Sequence, residues 1–190
     1  DIYMRSRQLA QALLKAGLKP GDRVATLMWN HSAHLEAYFG IPAAGGVLHT
    51  LNLRLFQEDI AYIVNHAGDR FLIVDDVLLP LFEKFKNDVK FERVIVYSFG
   101  GDKTHGYEDY ESFISSAADD FQYPALDENA PCGMCYTLGT TGKPKGVVYS
   151  HRSSVLHALV MSLPDAANLS MRDTVLPVVP IVPANACDSK

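Results

Sequence analysis

The chain has 190 residues, 48% of them hydrophobic and 21% charged, with a formal charge of −5. This balance suits a globular protein of one or two domains and excludes a disordered chain, while the negative charge argues against broad binding to nucleic acid or anionic membranes, which reward cationic patches. No apolar run approaches the roughly 20 residues that a bilayer requires, and the opening at Asp1 reads as helix rather than signal peptide, so a cytoplasmic setting is expected.

Apolar residues at helical spacing predict a helix over Tyr3 to Ala16, with Leu9, Leu13 and Ala16 on one side and Gly17 as its stop. Arg23 to Trp29 reads as a buried strand. Asn30 is placed to cap a helix from His31 to about Ala44, and Val47 to Leu51 follows as a strand. Glu58 to His66 is helical and closes at Gly68. Phe71 to Val74 and Val94 to Tyr97 are short strands separated by the amphipathic stretch Leu78 to Phe85. A Gly-rich turn over Phe99 to Gly106, a helix over Tyr107 to Ala118 and a polar connection over Asp119 to Pro131 come next. Cys132 to Leu138 and Thr174 to Val179 complete the strands, and a helix begins near His151 or Arg152 with Ser150 as cap. This βαβ alternation implies an α/β fold, a mainly parallel sheet with helices on both faces. The polar connection marks a boundary between residues 1–122 and 123–190, each read as an α/β subdomain cut short at one end.

The densest chemistry lies in Tyr136-Thr-Leu-Gly-Thr-Thr-Gly-Lys-Pro-Lys-Gly-Val-Val-Tyr-Ser150. Gly139, Gly142 and Gly146 let the backbone approach an anion, while Thr137, Thr140 and Thr141 supply hydroxyls and main-chain N–H donors. Lys143 and Lys145 supply positive charge, and Pro144 biases Lys143 toward an extended conformation, so both lysines are expected on one side of the segment. Pro144 follows Gly142-Lys143 where a Walker A loop needs a hydroxyl and a helix start, and the glycine spacing differs from a dinucleotide fingerprint. On residue types alone the segment is either a polyanion site or a flexible hairpin turn.

Other constellations have ordinary readings. Cys132-Gly-Met-Cys135 has CxxC spacing, but strand alternation would point its thiols to opposite faces, which favours buried structural thiols over a redox or metal pair. His31 and His34 lack the four-residue spacing of zincins and read as exposed or capping histidines. Glu108, Asp109 and Glu111 suit a solvated first helical turn. Asp75-Asp76 ends a strand and serves equally as a functional or capping pair. Ser150-His151 has no orienting acid nearby in sequence, and no GxSxG elbow occurs.

Residues Tyr136 to Ser150 resemble the phosphate-binding signature of the adenylate-forming synthetase superfamily, whose usual form reads YTSGTTGxPKGV. Gly17 to Val24, Gly45 to Arg54 and Asp59 to His66 resemble the N-terminal region of medium- and long-chain fatty acyl-CoA synthetases. The resemblance implies part of that family's large N-terminal domain and a two-step ligase. In that chemistry a fatty acid and Mg2+-bound ATP give acyl-AMP and pyrophosphate, and coenzyme A then takes the acyl group. It implies Thr137, Gly139, Thr140, Thr141, Gly142 and Lys145 as the nucleotide-binding set, Lys145 as the catalytic cation, and a possible homodimer.

The sequence departs from the family pattern at Leu138, where Ser or Thr is usual, and at Pro180 to Cys187, where PMFHVNAW is usual. The family's downstream Thr-Glu motif, ribose-binding Asp and C-terminal lysine have no counterpart, so a fragment inactive on its own is expected. A noncatalytic binding module and a ligase for an aromatic or short-chain acid are the rival readings.

Overall fold

The computed structural model describes residues 1–101, 105–117, 121–137 and 143–176. Helix α1 (Ile2–Lys15) precedes β1 (Arg23–Leu27), α2 (Ser32–Ala43), β2 (Val47–Thr50), α3 (Gln57–Ala67), β3 (Asp69–Asp75), α4 (Leu79–Phe82), β4 (Arg93–Tyr97), β5 (Glu108–Asp109) and α5 (Tyr110–Ser115). A hairpin of β6 (Pro131–Thr137) and β7 (Lys145–Ser150) follows and leads into α6 (His151–Met161). The seven strands form one sheet in the order β5-β4-β3-β1-β2-β6-β7. Every pairing is parallel except β6 with β7. The sheet therefore runs unbroken through the polar connection, because β6 pairs with β2.

Alternation along the strands builds two cores. Val24, Leu48, Phe71, Ile73 and Ile95 face α1, α2 and α5, while Ala25, Leu27, Leu72, Val74 and Val96 face α3 and Phe82 of α4. Strands covered on both faces need apolar side chains at every position, which is why β1 and β3 read as continuous apolar runs rather than as an alternating pattern. A partly buried ion pair ties the first layer together. Glu36 of α2 accepts from Arg5 Nε of α1 at 2.6 Å and from the Tyr110 hydroxyl of α5 at 2.8 Å. With both carboxylate oxygens partnered, a charge that would be costly if isolated is tolerated inside the core.

Several expected boundaries shift. Helix α2 begins at Ser32 with His31 at the cap position, and no side chain caps it. The stretch Leu78 to Phe85 holds only the single turn of α4 between 3₁₀ turns, since Pro80 suits a first turn and little follows to extend it. Glu108 and Asp109 are not a first helical turn. They pair with β4 as β5, and Asp109 then caps α5 by accepting from Ser112 N at 2.8 Å. Thr174 to Leu176 have no regular structure, and the rest of the strand expected to Val179 lies outside the described residues. Two expected ends hold. Gly68 closes α3 in the left-handed conformation at φ 67°, and Ser150 with Ser153 forms a capping box for α6.

Candidate functional site: the β6–β7 hairpin

The hairpin grows from the central sheet through β6, whose Gly133 and Met134 pair with Leu48 and His49 of β2. Register pairs Thr137 with Lys145 and Tyr136 with Gly146. The last described rungs thus bring a hydroxyl and an ammonium-bearing side chain opposite each other where the chain leaves β6 and enters β7. Leu138, Gly139, Thr140, Thr141 and Gly142 lie outside the described residues. Cross-strand neighbours have Cβ atoms roughly 5 Å apart on one face, so Thr137 and Lys145 can address one bound group together.

The opposite face of the hairpin root packs on α3. The Tyr136 ring lies over Gly146, where an added Cβ would stand 3.2 Å from Tyr136 Cζ. Its hydroxyl is 2.6 Å from His66 Nδ1, and its ring is tilted against His49 with centroids 5.3 Å apart. Partial burial pushes the Tyr136 phenol up, with the nearby Asp69 charge next in effect, so the hydroxyl stays protonated at neutral pH. His49 is itself buried in the sheet, with Nδ1 2.8 Å from Asp69 Oδ2. Desolvation pushes the Asp69 carboxyl up, against the pull of His49 and Arg23.

Lys143 and Lys145 do not share a side. Lys145 stands in the ladder beside Thr137, on the face opposite Gly146 and Tyr136. Lys143 precedes the ladder in a bend, where the period of two does not apply, and its ammonium sits 4.9 Å from the Tyr62 ring centroid of α3. The expectation for the cysteines also changes in detail. A register irregularity between Pro131 and Gly133 interrupts alternation at Cys132, whose thiol comes 3.4 Å from Ser154 Oγ of α6. Cys135 Sγ lies 4.0 Å from the Tyr149 hydroxyl, and both thiols are buried outside any disulfide.

The other candidates settle into the scaffold. His31 is neither exposed nor a side-chain cap; its Nε2 lies 2.9 Å from the buried Asp75 carboxylate, which also accepts from Trp29 N at 2.7 Å. His34 donates from Nδ1 to the Trp29 carbonyl at 3.0 Å and accepts from Thr26 Oγ1 at 3.1 Å. Burial lowers its pKa to about 4, which keeps the ring neutral and fits that donor and acceptor assignment. Asp76 bonds the backbone N–H groups of Val77 and Phe99 at 2.7 and 3.1 Å. Among the described residues no three His, Cys, Asp or Glu side chains converge on a metal site.

The family model "AMP-binding enzyme" matches residues 1–188, and so includes the sheet and both strands of the hairpin. The chain belongs to this family. Among curated members it is 50% identical over 186 residues to a long-chain-fatty-acid–CoA ligase of Thermus thermophilus, covering 98% of this chain and 34% of that protein. It is 44% identical over 191 residues to a medium-chain-fatty-acid–CoA ligase of Ectopseudomonas oleovorans, covering 98% and 35%. The chain thus spans about a third of the length of these relatives. Its fold matches a crystal structure of a long-chain-fatty-acid–CoA ligase from Archaeoglobus fulgidus with a TM-score of 0.84 at 21% identity, over 95% of this chain and 35% of that one.

In this family member, sequence reasoning pointed to Thr137 and Lys145, which the structure sets opposite each other, but not to the side chains beneath them. Tyr62, His66, His49 and Asp69 reach the hairpin root from α3, β2 and β3, across 70 residues of sequence in the case of His66 and Tyr136. No local spacing signals such contacts. The one available pointer was that His49 and His66 fall inside segments that resemble the family.

Proposed function

We propose that the chain is the N-terminal part of an ATP-dependent acyl-CoA ligase that converts a fatty acid, ATP and CoA to acyl-CoA, AMP and pyrophosphate by way of acyl-AMP. The observation that carries this reading is the Thr137–Lys145 rung at the mouth of the hairpin, in a chain 44% and 50% identical to two curated relatives that bear fatty-acid–CoA ligase names. Its donors suit the triphosphate of ATP, because Lys145 is exposed and stands beside a hydroxyl rather than being engaged in the core. Mg2+ would arrive with the nucleotide and neutralise part of the phosphate charge.

When the substrate carboxylate attacks the α-phosphate, negative charge grows on the departing pyrophosphate. We assign Lys145 and the Thr137 hydroxyl to meet that charge, and Gly139, Thr140, Thr141 and Gly142 to the same cradle. A cation fixed in advance at that position lowers the barrier because it needs no reorganisation as the charge develops. Residues 1–122 and 123–190 are assigned to successive subdomains of the parent, the first strand of the second joining the sheet of the first. The parent is assigned to the cytoplasm and to a homodimer; no described helix is long and apolar enough to cross a membrane.

ATP–pyrophosphate exchange with Mg2+ and a panel of carboxylic acids tests the reaction, and the mass of the acyl-AMP names the acid. Exchange that depends on a medium- or long-chain fatty acid is the expected result. Tight nucleotide binding by the parent without exchange for any acid would instead establish a noncatalytic module, and a preference for an aromatic or short-chain acid would move the substrate class.

A further inference from the structure

The motif explains why the hairpin carries hydroxyls and charge, but not what steadies it. A two-stranded hairpin is marginally stable alone, and β7 lies at the edge of the sheet. Two side chains of α3 touch the hairpin, one at each root. His66 meets the Tyr136 hydroxyl at 2.6 Å near the end of β6, and Tyr62 lies under the Lys143 ammonium at 4.9 Å just before β7. Tyr62 and His66 are four residues apart on one helix face and stack with centroids at 5.4 Å, so they act as one edge. That edge is itself anchored, since Ile60, Ile63 and Val64 bury the other side of α3 in the core.

We propose that Tyr62 and His66 are positioning residues for the hairpin, holding Tyr136 and Lys143 so that Thr137 and Lys145 keep their spacing toward the phosphates. The catalytic consequence rests on the ligase reading; the clamp itself does not. His66 fixes Tyr136 through its hydroxyl while Gly146 and His49 confine the ring, so the β6 root has little freedom to rotate. Tyr62 draws Lys143 back toward α3 through the attraction of an ammonium for an aromatic face. That leaves Lys145 as the described lysine beside Thr137.

Hydrogen–deuterium exchange of the full chain without nucleotide reads the clamp at the amides of Cys135 to Thr137 and Lys145 to Val147. His66→Leu is expected to raise exchange there about fivefold, the equivalent of one ordinary hydrogen bond. Tyr62→Leu is expected to raise it about two- to fivefold, as for an exposed cation–π contact. His66→Gln, which can still bond the hydroxyl, and Tyr62→Phe, which keeps the ring face, should restore most of the protection. Exchange that stays unchanged in both leucine variants, or that rises equally through β1, β2 and β3, overturns the clamp. In the parent enzyme the leucine variants should raise KM for ATP with little change in KM for the acid. A wild-type parent that fails to exchange pyrophosphate would defeat the ligase reading alone, because the amide data decide the clamp independently.

Discussion

Strands β1 and β3 are almost wholly buried, between helices of the same chain, whereas neither β7 nor α6 buries a residue. The contrast does not come from composition. Helix α6 carries Val155, Leu156, Leu159 and Val160, each about half exposed or more, and Leu163 and Val148 are exposed to a similar degree. Patches of this kind mark surfaces made to be covered. The first region therefore holds the stability of the described structure, and the second holds the groups assigned to chemistry on a less supported frame. Regions that bind ligands are commonly drawn from this less stable end of a molecule.

The sharpest way to break the comparison is to truncate one apolar side chain in each region. Phe71 is fully buried at the centre of β3, and Phe71→Ala is expected to cost about 3–5 kcal/mol through lost burial and a cavity. Leu159→Ala, at 60% exposure, is expected within about 0.5 kcal/mol of the parent chain. Urea unfolding of the two variants gives the answer, and equal losses would mean that α6 is packed as firmly as the central sheet.

Acid provides a second lever on the buried region. The pKa of His34 falls to about 4 in the folded state, chiefly through burial. The unfolded chain therefore takes up a proton near pH 6.5 that the folded chain refuses until about pH 4. Stability contributed by this neutral ring is complete above pH 6.5 and declines as the pH falls toward 4, by about 3 kcal/mol in all. His34→Gln, which does not titrate, should flatten that decline in urea titrations across the window. The raised pKa of Asp69 acts in the opposite sense, so the comparison between parent and variant isolates the histidine. An equally steep decline in the variant would locate the acid sensitivity elsewhere.

In the hairpin the large effect should appear in rate and not in stability. Lys145 is exposed at the mouth, so Lys145→Ala should leave the urea midpoint within experimental error. Adenylation by the parent should fall about a hundredfold, the size of one lost preorganised contact to developing charge. A drop in stability of the same order would turn Lys145 into a structural residue and erase the division between the two regions.

This division also decided what the sequence made legible. Apolar runs over Arg23 to Trp29 and Phe71 to Val74 were visible because strands buried on both faces suppress polar residues. Gly68 and Ser150 announced helix ends because stop and cap chemistry is local. Asp109 misled, since a residue that ends a two-residue strand and caps the next helix looks like a first helical turn when read alone. The motif pointed to the hairpin residues assigned to chemistry, but nothing in the sequence pointed to the His49–Asp69 pair or the α3 edge. They are assembled by the parallel crossover connections, which bring distant sequence together without leaving a spacing to read.

The smallest expected effect is the most specific, and it lies where the two regions meet. Gly146→Ala sets two opposing terms against each other. Losing a glycine lowers the entropy of the unfolded chain and stabilises by about 0.4–1 kcal/mol wherever the backbone accepts the change. Against this, the new Cβ would stand 3.2 Å from Tyr136 Cζ and 3.4 Å from its hydroxyl oxygen, closer than comfortable contact. A free ring would simply swing aside, but this one is held by His66 at 2.6 Å and backed by His49. Overpacking against a held ring costs about 1–3 kcal/mol, so a net loss on the order of 1 kcal/mol is expected. In a Tyr136→Leu background the obstruction is gone, and the same substitution should become neutral or stabilising by a few tenths of a kcal/mol. A double-mutant cycle by urea unfolding measures the change of sign. Its absence would show that the Tyr136 ring yields easily, and hence that the exposed hairpin is not held to the buried sheet through Tyr136.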